Sequence, residues 1–218
     1  MKKRFVGLLC ALGIMAAVVM PASAATFSDV DTDHWAYENI TLIAEIGMVN
    51  GYPNGTFQPS GTITSAEVAS VIYKGFYNSM PGPEVAEFAD VPASHWAYEA
   101  LATAGWAMIS YYDPSDPDTY YIYPDQPTCR EDVAYTVGFI AYWWITDSDY
   151  PPAITPTDFL DADEISEACE PYFSFAVSAG LINGYADGNF HPEATITRAE
   201  FATLIVRLLD YLSNNASG

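Results

Sequence analysis

Basic residues are scarce in this chain. It has seven Lys and Arg against 28 Asp and Glu, a formal charge of −21. Three of the seven stand in Met1-Lys2-Lys3-Arg4. Beyond residue 24 only Lys74, Arg130, Arg198 and Arg207 face all 28 acids, a formal charge of −24. A field of that sign repels nucleic acid and anionic membranes, so neither is expected as a partner. It also makes each cation informative, because an anionic ligand has few places to go.

Catalytic and metal motifs are missing as well. Cysteine is limited to Cys10, Cys129 and Cys169, and no Cys/His group has zinc spacing. There is no Gly-x-Ser-x-Gly elbow, phosphate loop or metalloprotease helix. Carboxylates are abundant, but an acid pair needs a fixed separation and split pKa values. Asp113, Asp116 and Asp118 lack the EF-hand spacing and its glutamate, and read as a solvated acidic loop. No enzyme activity, cofactor or metal is expected.

Long apolar runs are absent beyond residues 5–20. That run follows the basic start and precedes Pro21-Ala22-Ser23-Ala24-Ala25. This pattern predicts a secretory signal over 1–24, cleaved after Ala24, and no membrane insertion afterwards. Cys10 lies too early for a lipoprotein box. Export permits a disulfide, and for Cys129 and Cys169 the sequence leaves bridge and free thiols equally open.

What the chain does have is repetition. Copy one (27–79) opens Phe27-Ser28-Asp29-Val30, then Asp33-His34-Trp35-Ala36-Tyr37-Glu38. Copy two (88–146) opens Phe88-Ala89-Asp90-Val91, then Ser94-His95-Trp96-Ala97-Tyr98-Glu99. Copy three (159–212) opens Phe159-Leu160-Asp161. Gly47-Met48-Val49-Asn50-Gly51-Tyr52-Pro53-Asn54-Gly55-Thr56-Phe57 recurs as Gly180-Leu181-Ile182-Asn183-Gly184-Tyr185-Ala186-Asp187-Gly188-Asn189-Phe190. Ile63-Thr64-Ser65-Ala66-Glu67 then answers Ile196-Thr197-Arg198-Ala199-Glu200, with Thr128-Cys129-Arg130-Glu131-Asp132 in copy two.

Each copy reads as helix, loop, helix. The first helix of copy one is predicted to start near Asp33 as its cap and to stop at Gly47. Thr64 with Glu67, and Thr197 with Glu200, form capping boxes; Cys129 with Asp132 is a weaker one. Val68, Val71, Ile72, Gly75 and Phe76 share one face of a second helix, as do Phe201, Leu204, Ile205, Leu208 and Leu209. Three such faces predict an all-α fold with a central bundle. Pro- and Gly-containing stretches at 79–83 and 150–156 separate units of one domain, 25–218.

These ordered motifs resemble the S-layer homology family across about 27–212. The resemblance implies a pseudo-three-fold, three-pronged spindle around a helical bundle. It implies a secreted protein of the cell wall or cell surface. Grooves between prongs would bind secondary cell-wall polysaccharide of a Gram-positive-type wall, typically through a pyruvylated sugar. The arginine of Thr-Arg-Ala-Glu would be the main contact, which here means Arg198 beside Thr197, and Arg130, with Ser65 at the same place in copy one. Groove glycines, aspartates and aromatics would help: Gly51, Gly184, Asp29, Asp90, Trp35, Trp96 and Tyr185. A guanidinium at the first helical position would stand beside free N–H groups and the positive helix end, a ready anion site. The tryptophans would stack on an uncharged sugar face.

The copies depart from the pattern. Copy one has Ser65 for arginine. Copy two puts Tyr111 where Gly51 stands, followed by an inserted loop, 113–121. Copy three has Ala168 at the tryptophan position. Grooves are shared between neighbouring units in the family, so the resemblance still allows one intact groove to be assembled from different copies. Family members usually carry a passenger domain, and here only seven residues follow Tyr211. A self-assembling surface-layer protein, partnered by other surface proteins, is the alternative reading; a secreted enzyme accessory is the remote one.

Overall fold

The computed structural model describes residues 27–76, 87–146 and 158–215. The expected signal at 1–24 and the stretches at 79–83 and 150–156 lie outside the described residues. Six α-helices fill the described part: α1 Tyr37–Glu45, α2 Ser65–Phe76, α3 Tyr98–Ala104, α4 Arg130–Ile145, α5 Glu170–Ser178 and α6 Arg198–Asn215. Each copy supplies one shorter and one longer helix, in the expected order.

The fold is not wholly helical. The expected loop of copy two is a hairpin, β1 Tyr111–Asp113 paired antiparallel with β2 Asp116–Tyr121. Tyr111 faces Tyr121 and Tyr112 faces Tyr120 in register. Aromatic and β-branched residues favour a pleated ribbon, and the intervening Pro-Ser segment supplies the turn. Asp113 closes that turn by accepting from Ser115 N at 2.8 Å and from its hydroxyl at 2.7 Å.

The cap expected at Asp33 is also displaced. Helix α1 begins at Tyr37 with no side-chain cap. Instead His34 Nδ1 accepts from Ala36 N at 3.1 Å, and His95 Nδ1 accepts from Ala97 N at 3.2 Å. Each imidazole closes a turn that launches its helix. The boxes at Thr64 and Thr197 form as read: Glu67 N donates to Thr64 Oγ1 at 3.3 Å while Glu67 Oε2 accepts from Thr64 N at 3.1 Å. Glu200 and Thr197 do the same at 3.2 and 2.8 Å. Cys129 makes no side-chain cap bond to α4.

Helices pair across copies rather than within them. The principal helix contacts join α1 to α6, α3 to α2, and α5 to α4, with α4 also against α6. The predicted faces supply the core: Val68, Val71, Ile72 and Phe76, and Phe201, Leu204, Ile205, Leu208 and Leu209, are all buried. An isolated copy would leave both its apolar faces wet, so burial couples the three copies into one core.

The segments just before α2, α4 and α6 meet in a closed cycle. Ile63 N donates to Ile196 O at 3.1 Å, Ile196 N to Thr128 O at 3.4 Å, and Thr128 N to Ile63 O at 3.0 Å. Bridges Thr62–Thr197, Thr64–Pro127 and Cys129–Thr195 flank this ring. Each copy thus supplies one edge to each of the other two, which fixes the relative placement of their helix starts.

Candidate binding grooves

The starts of the longer helices carry the candidate site. Arg198 and Arg130 are the first residues of α6 and α4, as expected. The free amides expected beside them are absent, however. Arg198 N donates to Gly61 O at 2.8 Å and Ala199 N to Pro59 O at 3.0 Å. Arg130 N and Glu131 N donate to Ala194 O and Pro192 O, and Ser65 N and Ala66 N to Gln126 O and Pro124 O. A neighbouring copy's carbonyls occupy the positions where an anion would sit. The helix-start anion site read from the sequence is therefore filled by the protein itself.

Both arginines are buried, at 7% and 5% exposure for Arg198 and Arg130. Arg198 Nε donates to Phe57 O at 2.8 Å and Nη1 meets Glu67 Oε1 at 2.5 Å. Its guanidinium lies 4.8 Å from the ring centres of Tyr52 and Phe57. Arg130 repeats this arrangement one junction away. Nε donates to Phe190 O at 2.9 Å, Nη2 to Asn183 O at 3.1 Å, and Nη1 stands 3.8 Å from Glu200 Oε1. Its guanidinium lies 4.3 Å from the Tyr185 ring centre and 4.6 Å from that of Phe190. Each tyrosine closes the set: Tyr52 OH donates to Glu67 and Tyr185 OH to Glu200, both at 3.0 Å.

These groups tune one another. Burial pushes the Tyr185 hydroxyl pKa up, against the nearby Arg130 charge. Burial also raises Glu200, but hydrogen bonds from Thr197 and Tyr185 and the Arg130 charge overcome it and leave a lowered pKa. The carboxylate is thereby held ionised as the arginine's counter-charge.

Two grooves open beside these arginines. The first, about 200 Å³, is lined by Asn50, Gly51, Glu67, Ser70 and Lys74 of copy one, Trp96 of copy two and Arg198 of copy three. The second, about 180 Å³, is lined by Asn183, Gly184, Tyr185, Glu200, Thr203 and Arg207 of copy three, Arg130 of copy two and Trp35 of copy one. All three copies build each groove. The tryptophans are exposed, Trp35 at 63% and Trp96 at 64%. Gly51 and Gly184 are forced by packing: a Cβ would come within 2.4 Å of a Phe27 or Phe159 ring carbon, respectively.

Other residues named from the sequence lie elsewhere. Asp29 takes Phe57 N and Gln58 N, both at 2.7 Å. Asp90 takes Ile122 N and Tyr123 N, at 3.2 and 2.7 Å. Asp161 does likewise with Phe190 and His191. Each aspartate clamps a residue at positive φ, namely Gln58, Tyr123 or His191. Asp29 and Asp90 line neither groove. Thr197 is a cap, and Ser65 is buried at the start of α2; they line neither groove either.

The third junction is different. Ser65 stands where the two grooves have arginine. Tyr111 OH donates to Asp132 Oδ2 at 2.9 Å, the bond that Tyr52 and Tyr185 make to their glutamates. The Tyr111 ring packs on Tyr123 at 5.4 Å. Burial raises the Asp132 pKa, against bonds from Tyr111, Cys129 and Thr128. Cys129 and Cys169 are free thiols, both with pKa raised by burial, Cys169 to about 12. Cys129, Glu131 and Asp132 gather their ligand atoms within 4.8 Å, although no metal was expected.

Glu67, Glu200, Lys74 and Arg207 also line the grooves, beyond the residues that the sequence motifs single out. The glutamates were visible in the sequence as caps, and their arginine partners become evident once the copies interlock. Lys74 and Arg207 carried one signal: they complete the short list of cations.

Fold and grooves together define a helix-rich module built of interlocked repeats, with two cation-bearing clefts. The S-layer homology domain model matches residues 26–69 and 158–202. Three curated proteins show what the chain is similar to. The chain is 40% identical over 94% of its length to the S-layer protein sap of Bacillus anthracis, covering 24% of that protein. It is 30% identical over 88% of its length to exoglucanase XynX of Acetivibrio thermocellus, covering 17% of that protein. It is 36% identical over 32% of its length to a cellulosome-anchoring protein of the same species, covering 15%. The chain thus spans under a quarter of the length of these relatives. Among the described residues no helix is long and apolar enough to cross a membrane.

Proposed function

We propose that the chain is a secreted, non-enzymatic module that attaches non-covalently to secondary cell-wall polysaccharide through its two grooves. In this reading the three copies form a pseudo-three-fold, three-pronged spindle, and a terminal acidic sugar, typically pyruvylated, enters between prongs. One observation carries it. Lys74, Arg130, Arg198 and Arg207, the four cations of the described residues, all line the two grooves. A chain with so many acids and only these cations focuses its positive charge where an anion must dock. The exposed Trp35 and Trp96 add an apolar face to each groove, suited to a sugar ring. The names of the relatives, an S-layer protein and a cellulosome-anchoring protein, agree with attachment at a cell surface.

Retention of residues 25–218 on purified walls, before and after removal of the secondary polysaccharide, tests this reading. Retention is expected on intact walls and lost on stripped ones. Equal retention on both would overturn it, and calcium-dependent self-association without glycan would favour the surface-layer alternative.

A further inference from the structure

We infer that Lys74 and Arg207, rather than the buried Arg198 and Arg130, are the groups that meet the ligand's anion, and that each molecule holds two such sites. This inference rests on the proposed binding of an acidic glycan.

The buried arginines are already committed. Each has Nε on a backbone carbonyl, a terminal nitrogen beside a glutamate, and its guanidinium flanked by two aromatic rings. The glutamate cancels the guanidinium charge within each groove. What remains is Lys74 in one groove and Arg207 in the other.

These two are exposed, and neither makes an ion pair among the described residues. Arg207 Nη1 has one long bond to Leu181 O at 3.4 Å. Lys74 Nζ stands 3.2 Å from the Asn50 side-chain oxygen, in the orientation that satisfies that amide. Lys74 follows Ser65, the first residue of α2, by the same interval that Arg207 follows Arg198 on α6. Two copies therefore place a free cation at one position of the groove wall, about two helical turns along from the glutamate of the buried ion pair, in a groove that an exposed tryptophan also lines.

The third junction lacks all of this. Ser65 replaces the buried arginine and Ala168 the tryptophan. Phe139 holds the place of the free cation, packed 5.0 Å from Trp106 and 4.8 Å from Tyr172. The number of anion sites is therefore two. The ligand class is a sugar with one apolar face and one carboxylate, because each groove offers one uncompensated charge. The sites differ in kind: the guanidinium of Arg207 can hold a carboxylate through two parallel N–H bonds, whereas Lys74 acts as a point charge.

The test is calorimetric titration of residues 25–218 with soluble fragments of purified wall polysaccharide, native and carboxyl-reduced. The wild type should bind native fragments at two sites and reduced fragments far more weakly. Lys74→Gln and Arg207→Gln should each weaken one site about tenfold, from loss of a charge-assisted bond. The double variant should bind native and reduced fragments alike, with an unchanged melting temperature. Wild-type stoichiometry and affinity in the double variant would overturn the inference and leave the anchoring reading standing. No binding of native fragments by the wild type would overturn the anchoring reading, and this inference with it.

Discussion

Arg198 Nη1 lies 2.5 Å from Glu67 Oε1, a charge-assisted contact between side chains 131 residues apart. It joins the third copy to the first at the floor of a groove. The same glutamate caps α2 through Thr64, so one carboxylate holds a helix start and a neighbouring copy together.

Removing one partner of this pair leaves the other partly buried without its counter-charge. Arg198→Met is expected to lower stability by about 3 kcal/mol in urea unfolding. Adding Glu67→Gln should cost less than the sum of the two single changes, because the two groups serve each other. Additive losses would mean that the pair is not coupled.

Gly184 has no room for a side chain. A Cβ there would stand 2.4 Å from Phe159 Cε1 and 2.8 Å from Asn189 O. Gly184→Ala should therefore cost about 1–3 kcal/mol by overpacking. Gly51→Ala should cost more, because Gly51 also sits at φ +63°. Thermal melting compares the two, and a silent Gly51→Ala would contradict the turn geometry.

Restoring arginine at Ser65 should not create a third site. Tyr111 already bonds Asp132, and this junction has Phe139 at the cation position and Ala168 at the tryptophan position. Ser65→Arg is expected to leave calorimetric stoichiometry at the wild-type value. A gain of one glycan site would show that Tyr111 yields its place to a guanidinium.

Asp132 makes stability depend on pH. Burial raises its folded pKa above the unfolded value, which is about 3.9. The folded state therefore holds the proton more tightly. The stabilisation this gives is complete below the unfolded pKa and is lost as pH rises through the folded one. Asp132→Asn should raise the melting temperature by about 2–4 °C at pH 7 and by almost nothing at pH 3. Glu200 runs the other way: its lowered pKa contributes stability above the unfolded value that disappears as pH falls through the folded one. An equal shift for Asp132→Asn at both pH values would exclude this account.

Exposed Trp35 should matter to binding and little to folding. Trp35→Ala is expected to leave the melting temperature unchanged and to weaken glycan binding about fivefold, from the lost aromatic face. Unchanged affinity would remove the tryptophan from the groove's working surface.

Much of the fold was legible because it rests on local chemistry. Capping boxes at Thr64 and Thr197, the stop at Gly47 and the apolar faces of α2 and α6 are written within a dozen residues each. The cap read at Asp33 failed because His34 accepts the amide bond two residues on. The hairpin is not legible, because an acidic Pro-Ser turn masks the tyrosines that pair on either side of it. The sequence left Trp35 and Trp96 open between core and groove edge; their exposure is a property of the packed structure.

By itself the sequence determined the repeat, the order of its helices, the faces that must be buried and the scarcity of cations. Periodicity, capping and net charge are properties of short segments or of the whole composition, and need no neighbour in space. The tertiary structure decided which copy serves which. It paired α1 with α6, set Arg198 against Glu67 and Arg130 against Glu200, and filled the helix-start amides with a neighbour's carbonyls. Those outcomes depend on a closed ring of three segments far apart in the chain. The same packing buries Arg198 and Arg130 and leaves Lys74 and Arg207 exposed in the grooves.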